Sequence, residues 1–199
     1  QTAGGKTLAT VSFRGFRIAI PIREMLVLED RMPSGRAYAD YMNRLNRILG
    51  TMLGAEIDFI VKGIDSTTHS AVASRREAML RKRQTFYLGK DVSGNPYIYP
   101  GRLVEARVIA VAEKVLRVEA FGIECAIFAR DLSWQWVSDV RDLYSVGDRV
   151  LVRVQEISGE DAEHLSIRAD IRSTFSETSV DNLKKCQVQS KYAGKVTDL

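Results

Sequence analysis

Period-two alternation of apolar and polar residues runs through residues 99–171 and constrains the fold more than any other feature of the sequence. In the run 115–121, Leu116 and Val118 share one face, whereas Arg117 and Glu119 take the other. Successive side chains of a strand point to opposite sides, so this pattern predicts half-buried β-strands. Five such runs occur, three before and two after a connector that holds both tryptophans.

The arrangement of these runs predicts a closed sheet. Gly122 separates the second run from the third, where a tight hairpin needs a residue that tolerates a positive φ. In the fourth run, Val150, Val152 and Val154 all point to one side. Five short antiparallel strands filled by Val and Ile, with a short helical segment after the third, predict a small Greek-key barrel of the OB type.

The order and spacing of several short segments in this region resemble those of a known family. Gly101 precedes the first run, and the later segments read AIFARDLS, YSVGDRVLVRVQEI and HLSIRA. In this order and spacing they resemble the S1 RNA-binding domain family, the OB-fold repeat named after the largest protein of the bacterial small ribosomal subunit. The resemblance covers residues 99–172. It implies binding of single-stranded RNA on the outward face of strands two and three.

An imperfect second copy of the pattern lies in the first part of the chain. Residues 11–25 can be laid over 118–132 with Gly15 on Gly122, and residues 54–61 match 147–154. We therefore predict an all-β fold of tandem five-stranded OB-type barrels. The predicted limits are a first barrel at 1–84 with a helix inserted near 35–49, a linker at 85–98, a second barrel at 99–172, and a spacer with an orphan strand at 173–199.

The two ends of the chain differ from a complete repeat. Nothing before Leu8 reads as a first strand, whereas 187–199 reads as a first strand with no barrel after it. One interpretation is that the sequence is a window from a longer array, so that further repeats of the same chain follow. The other is that residues 192–198 dock on the open edge of 8–13, in the same chain or in a neighbour, because an unpaired strand edge is a liability.

The composition, the net charge and the cysteine spacing show which classes of protein this sequence does not resemble. Hydrophobic residues make up 45% and charged residues 27%, and the net charge of +4 favours an anionic partner only weakly. No apolar run approaches a membrane span, and no signal-peptide pattern opens the chain. Cys125 and Cys186 have no metal or redox spacing, and Cys125 falls on an inward strand face. We expect a cytoplasmic protein without membrane association, metal or cofactor.

The candidate RNA surface combines cations that meet phosphates with aromatic faces that stack on bases. Transferred from the family, the outward positions are Arg107, Arg117, Phe128, Arg153 and Arg168. Between the barrels, the helix-compatible run 75–84 adds Arg75, Arg76, Arg81, Lys82 and Arg83, with a solvated linker helix as the plainer interpretation. Glu119 and Glu124 oppose a polyanion, and Trp134 and Trp136 are expected to pack the connector.

The predicted function is non-enzymatic binding of single-stranded RNA, with the ribosome or another part of translation as the setting. His69 and His164 have neither a nucleophile nor a paired carboxylate in a recognisable arrangement. The alternative is a protein-interaction module that docks on a ribosomal, phage or mobile-element assembly, with little RNA affinity of its own. The poor aromatic content of the first copy favours that alternative, and the linker cations favour RNA.

Overall fold

The structure is a computed structural model that describes residues 2–3, 6–27, 33–175 and 188–190. Most of its regular structure is β. The strands are β1 (Thr2–Ala3), β2 (Lys6–Phe13), β3 (Phe16–Pro21), β4 (Ile60–Asp65), β5 (Ser70–Ser74), β6 (Leu103–Ala112), β7 (Val115–Ala120), β8 (Ile123–Phe128), β9 (Arg149–Ser158) and β10 (Ser166–Asp170). The helices are α1 (Arg36–Gly50) and α2 (Arg75–Arg83), and a π-helical turn, Gln84–Leu88, follows α2.

The second sheet has the order β10-β9-β6-β7-β8, and β10 also packs against β8, which gives a barrel-like closure. Strand β6 bends across the barrel: Leu103 to Arg107 pair with β9, and Arg107 to Ala112 pair with β7. The inward residues are those that the alternation predicts. They include Val104, Ala106, Val108, Leu116, Val118, Ile123, Ile127, Val152 and Val154. The prediction of a β-barrel for this part of the chain is confirmed.

The first sheet has the order β1-β2-β3-β5-β4, in which β3 and β5 run parallel. Its core holds Ile18, Ile20, Leu45 from α1 and Met52. Although β1 lies before Leu8, it contains two residues and pairs only with Lys6 and Thr7. Among the described residues, no strand pairs with 9–13 of β2 on the side away from β3.

The two sheets pack directly on each other. A bulge between Val108 and Ala110 interrupts the alternation of β6 and turns Ile109 away from the barrel interior. Ile109 is fully buried and belongs to the core of the first sheet. A side chain of the second barrel therefore completes the first core.

Helix α2 joins the sheets, and Ser74 is its N-cap. Ser74 Oγ accepts a hydrogen bond of 3.0 Å from the Glu77 backbone N–H. The following segment, predicted as a linker, packs on the second barrel: Ile98 is buried in its core, and the Tyr87 hydroxyl donates to the Ala120 carbonyl at 2.9 Å.

Of the C-terminal strand predicted at 187–199, residues 188–190 are not in a strand, and the other residues lie outside the described ranges. No helix in the described part of the chain is both long and apolar enough to cross a membrane.

Candidate nucleic-acid interface

The outer face of β7 and β8 is where the sequence predicts the binding surface. Arg117 lies opposite Ala126 and Val115 lies opposite Phe128, which puts these four side chains on one face. Ile127, between Ala126 and Phe128, is buried on the other face. Arg117 and Phe128 therefore both point away from the barrel interior, as expected.

Helix α2 covers one end of this face. Arg75 is fully buried and donates from Nη2 to Glu119 Oε2 and from Nη1 to Glu124 Oε1, each at 2.7 Å. Its Nη1 also donates to the Met25 carbonyl at 2.8 Å. Glu119 and Glu124 are thus paired beneath α2, which removes most of the repulsion that the sequence predicts between these carboxylates and a polyanion.

Arg117 stands at the boundary of the covered region. Its Nη2 lies 2.5 Å from Glu124 Oε2, and its Nη1 is 3.4 Å from Thr51 Oγ1 at the end of α1. The side chain is one-quarter exposed. Its guanidinium group is therefore largely engaged within the protein.

Two of the five predicted linker cations are internal. Besides Arg75, Arg83 is buried and donates from Nε to the Gly122 carbonyl at 2.7 Å and from Nη1 to the Ala162 carbonyl at 3.0 Å. Burial lowers the pKa of Arg83 from its ordinary value. Neither guanidinium is accessible to phosphate in this structure, because both hold α2 against the second barrel.

The other three linker cations each have a carboxylate partner. Arg76 is 2.7 Å from Glu163, Arg81 is 2.7 Å from Glu77, and Lys82 is 2.5 Å from Asp58. The buried side chains of Ala78 and Met79 fix the helix in place. Helix α2 is therefore a packed element of the fold, and the interpretation as a solvated linker helix is wrong.

The remaining predicted cations lie on β6, β9 and β10. Arg107 pairs with Asp58 at the contact between the sheets. Arg153 donates to the Gly101 carbonyl at 2.8 Å and to Ser173 Oγ at 3.2 Å. Arg168, 3.3 Å from Glu156, keeps most of its side chain in solvent.

The open end of the β7–β8 face holds a cluster in which Phe128 was a predicted site residue and the other members were not. Phe128 is 52%, Trp134 67% and Trp136 88% exposed, so the expectation that the tryptophans pack the connector is wrong. A cation lies over each ring: Arg130 Cζ 5.7 Å from the centroid of Phe128, Lys114 Nζ 5.9 Å from that of Trp136, and Arg172 Cζ 4.4 Å from that of Trp134. We call these six residues the aromatic–basic patch.

The turns at the end of the barrel bring the patch together. Lys114 occupies the β6–β7 turn, and its carbonyl accepts from the Ala129 N–H at 3.0 Å, directly after Phe128. Lys114 Nζ donates to the Ser138 carbonyl at 2.5 Å, which ties the connector to the same turn. Phe128, Arg130, Trp136 and Lys114 line a cavity of about 360 Å³. No local sequence pattern indicates this cluster, because the exposure of the two tryptophans is a property of the folded connector.

Metal-ligating and thiol groups were compared with the requirements of a metal or cysteine site. Among them, no group of three His, Cys, Asp or Glu side chains has the geometry of a metal site. Cys125 is buried, as predicted, and burial raises the pKa of its thiol to about 12. This thiol stays protonated at neutral pH and is a poor nucleophile or metal ligand.

Comparison with known proteins identifies the second barrel. Residues 98–168 match the family described as S1 RNA binding domain, so the chain contains such a domain. Two solved structures resemble the chain: the a/eIF2alpha–aDim2p–rRNA complex from Pyrococcus horikoshii OT3 (20% identity, TM-score 0.36) and GSP13 from Bacillus subtilis (21% identity, TM-score 0.35). The matches cover 45% and 40% of this chain, and they span 53% and 59% of those chains, respectively.

Proposed function

We propose that the chain binds single-stranded RNA without catalysis, through the aromatic–basic patch of its S1 domain. One observation carries the proposal: three largely exposed rings, each beneath a cation, lie at the open end of the β7–β8 face. Exposed rings beside cations are the combination that binds a single strand, because bases stack on the rings while cations meet the phosphates.

Phe128 and Trp136 are the proposed stacking platforms, since both line the cavity at the patch. Lys114 and Arg130 would meet the phosphates, and Trp134 with Arg172 would extend the surface. Stacking accepts any base and phosphate contacts carry no sequence information, so low sequence preference is expected.

This surface revises the predicted residue set. Phe128 stays at its centre, Arg117 lies at its covered margin, and Arg168 on β10 is an exposed cation of a neighbouring strand. Arg75 and Arg83 are assigned to the packing of α2, while Lys82 and Arg107 are assigned to the ion pair with Asp58.

We further propose that the first sheet is a divergent copy of the same barrel. Its parallel β3–β5 pair and the antiparallel β4–β5 pair support this, together with the sequence overlay on Gly15 and Gly122. The copy would support the second barrel and carry little RNA affinity, in a cytoplasmic protein associated with the ribosome or translation. Further repeats in a longer chain would fit the same proposal.

Protein interaction is the second candidate function, because β4 and β5 carry exposed apolar side chains. Ile64 is 68% exposed, and Val61 and Val72 are also exposed. Exposed apolar side chains on neighbouring strands can contribute to a protein-binding surface. In this alternative, the first sheet docks on an assembly and RNA contact is incidental.

A binding titration tests the proposal. Fluorescence anisotropy of a labelled single-stranded RNA of mixed sequence would be measured at low salt with the wild type and with Phe128→Ala plus Trp136→Ala. At about 1–3 kcal/mol for each stack, the double variant should lose at least about 30-fold in affinity. Tyr99→Ala is the matched control, because Tyr99 is also an exposed ring beneath an arginine, Arg102, but lies outside the patch.

Two results would overturn this assignment. One is a wild type that does not bind RNA at low salt, which would favour the protein-interaction function. The other is a double variant whose affinity equals that of Tyr99→Ala, which would remove the patch as the binding site.

A further inference from the structure

Helix α1 ends at the margin of the β7–β8 face that carries the aromatic–basic patch. Thr51 is the C-cap of α1, and its Oγ1 lies 3.4 Å from Arg117 Nη1. Arg117 shares a strand face with Ala126, its cross-strand neighbour, and with Phe128 of the aromatic–basic patch. The end of α1 is therefore next to the surface on which RNA binding is proposed.

The side chains between the aromatic–basic patch and Arg117 are small. Ala126 lies two positions from Phe128 on β8, about 7 Å along the strand, and it is exposed. Val115, opposite Phe128, is partly buried. A strand of RNA that leaves the Phe128 ring toward Arg117 therefore passes over a shallow part of the face.

One row of side chains on α1 continues from Thr51. Arg47 lies four positions and Arg44 seven positions before Thr51, and residues three or four apart are neighbours on a helix surface. Both arginines are exposed. Leu45 is buried in the core of the first sheet and Ile48 packs against that core, which fixes the orientation of the helix. The row extends about 10 Å from Thr51, at 1.5 Å per residue.

The exposed side chains in this half of α1 are all hydrogen-bond donors. Asn43, Arg44, Asn46 and Arg47 are exposed, and residues 41–50 contain neither Asp nor Glu. The exposed cations of α2, by contrast, each have a carboxylate partner. Cations near the C-terminal end of a helix also interact favourably with its dipole, but that effect falls off within the last turn. The helix dipole therefore accounts for Arg47 and not for Arg44.

We propose that α1 extends the RNA-binding surface, so that a strand held at the aromatic–basic patch passes Arg117 and places its next phosphates against Arg47 and Arg44. This inference rests on the proposed function, because the rings that would hold the bases belong to the aromatic–basic patch. Arginine suits the role, since its planar guanidinium group can donate two parallel hydrogen bonds to one phosphate. The first sheet keeps little RNA affinity of its own, because α1 adds contacts only to a strand that is already bound.

The cations of α1 should act only on RNA that is long enough to reach them. OB-type barrels contact about 4–16 nucleotides of a single strand, so RNAs of about 5 and about 12 nucleotides separate the aromatic–basic patch alone from the patch with α1. Each phosphate-binding cation that is removed reduces the slope of log K against log salt concentration by about 0.7. Arg44→Gln with Arg47→Gln should therefore reduce the slope by about 1.4 with the long RNA and leave it unchanged with the short one.

The test is fluorescence anisotropy of both labelled RNAs with the full chain across salt concentrations. With the long RNA, the affinity deficit of Arg44→Gln with Arg47→Gln should shrink by about sevenfold between about 50 and about 200 mM salt, as the slope difference requires. Glutamine keeps a high helix propensity, so α1 itself should be preserved. Arg44→Lys with Arg47→Lys retains both charges and should retain the wild-type slope.

A matched control separates position from net charge. Arg81→Gln with Arg141→Gln also removes two exposed arginines, and each of these has a carboxylate partner away from the aromatic–basic patch. This control should leave the slope close to that of the wild type with either RNA. An equal decrease in both double variants would assign the effect to net charge and overturn the proposal.

Two further results would overturn it. An unchanged slope with the long RNA would show that α1 contacts no phosphate. An equal loss of affinity for both RNAs would show that the arginines act at the aromatic–basic patch itself. In each case the wild type still binds the short RNA through Phe128 and Trp136, so the proposed function stands. A wild type that binds neither RNA would overturn the proposed function, and this inference with it.

Discussion

Arg75 Nη2 and Glu119 Oε2 lie 2.7 Å apart, and both side chains are excluded from solvent. Arg75 begins α2, immediately after the last strand of the first sheet, and Glu119 lies on β7 of the second barrel. The pair therefore fixes one sheet to the other. Arg75 Nε has no hydrogen-bond partner among the described residues, so the hydrogen bonds donated by Nη1 and Nη2 have to offset the cost of burying the guanidinium group.

Replacement of Arg75 should be strongly destabilising. In Arg75→Met, the Glu119 carboxylate stays buried without its main partner, and breaking a buried pair in this way typically costs about 3–5 kcal/mol. The free energy of unfolding would be measured by urea denaturation. Arg81→Met, which breaks an exposed pair with Glu77, should change it by no more than about 1 kcal/mol. A small effect of Arg75→Met would show that solvent reaches this pair.

The hairpin glycine of the second barrel should tolerate substitution far less than that of the first. Gly122 and Gly15 have positive φ values of 88° and 83°, so alanine strains the backbone at both by roughly 1–2 kcal/mol. A Cβ at Gly122 would also collide with the Met79 carbonyl oxygen in α2, whereas none of the described atoms lies within 4 Å of a Cβ at Gly15. Gly122→Ala should therefore lower the melting temperature more than Gly15→Ala does. Equal decreases would mean that α2 moves away freely.

Local patterns were enough to predict the strands of the second barrel. The alternation in 115–121 and 123–129 depends on which face is buried, and Gly122 between them marks a turn that only a few residues can form. The bulge at Val108–Ala110 was not predictable from local patterns. It turns Ile109 toward the core of the first sheet, which is built by residues far away in the sequence.

The candidate site was predicted less well because its determinants are not local. Arg75 lies in a run of cations that favours solvent or phosphate, and its partners Glu119 and Glu124 are 44 and 49 positions away. Nothing near Arg75 in the sequence indicates that α2 packs over β7. Trp136 was missed for the opposite reason, since burial is the usual state of a tryptophan and its exposure is a property of the folded connector.

Asp58 should make the contact between the sheets sensitive to acid. Burial opposes its ionisation, but Lys82 and Arg107 outweigh this effect, and the pKa of Asp58 falls below its usual value. A lowered folded-state pKa contributes stability above the unfolded pKa, near 3.8, and this stability is lost as the pH falls through the folded value. Asp58→Asn should therefore be less stable than the wild type at neutral pH and approach it below that window. Urea denaturation across pH would show parallel curves if Asp58 makes no such contribution.

The salt dependence of RNA binding should separate the cations of the patch from its rings. Removing one phosphate-binding cation reduces the slope of log K against log salt concentration for a single strand by about 0.7, because fewer condensed counterions are released. Arg130 is an exposed cation over Phe128, and its Nε lies 3.6 Å from Asp131 Oδ2. Because an exposed pair of this kind is weak, Arg130→Gln should reduce the slope by about this amount. Phe128→Ala should lower the affinity at every salt concentration and leave the slope unchanged. Arg141→Gln is the control, since Arg141 is likewise an exposed arginine paired with an aspartate, Asp139, but is not one of the patch residues. If Arg130→Gln and Arg141→Gln gave the same slope as the wild type, Arg130 would not contact phosphate.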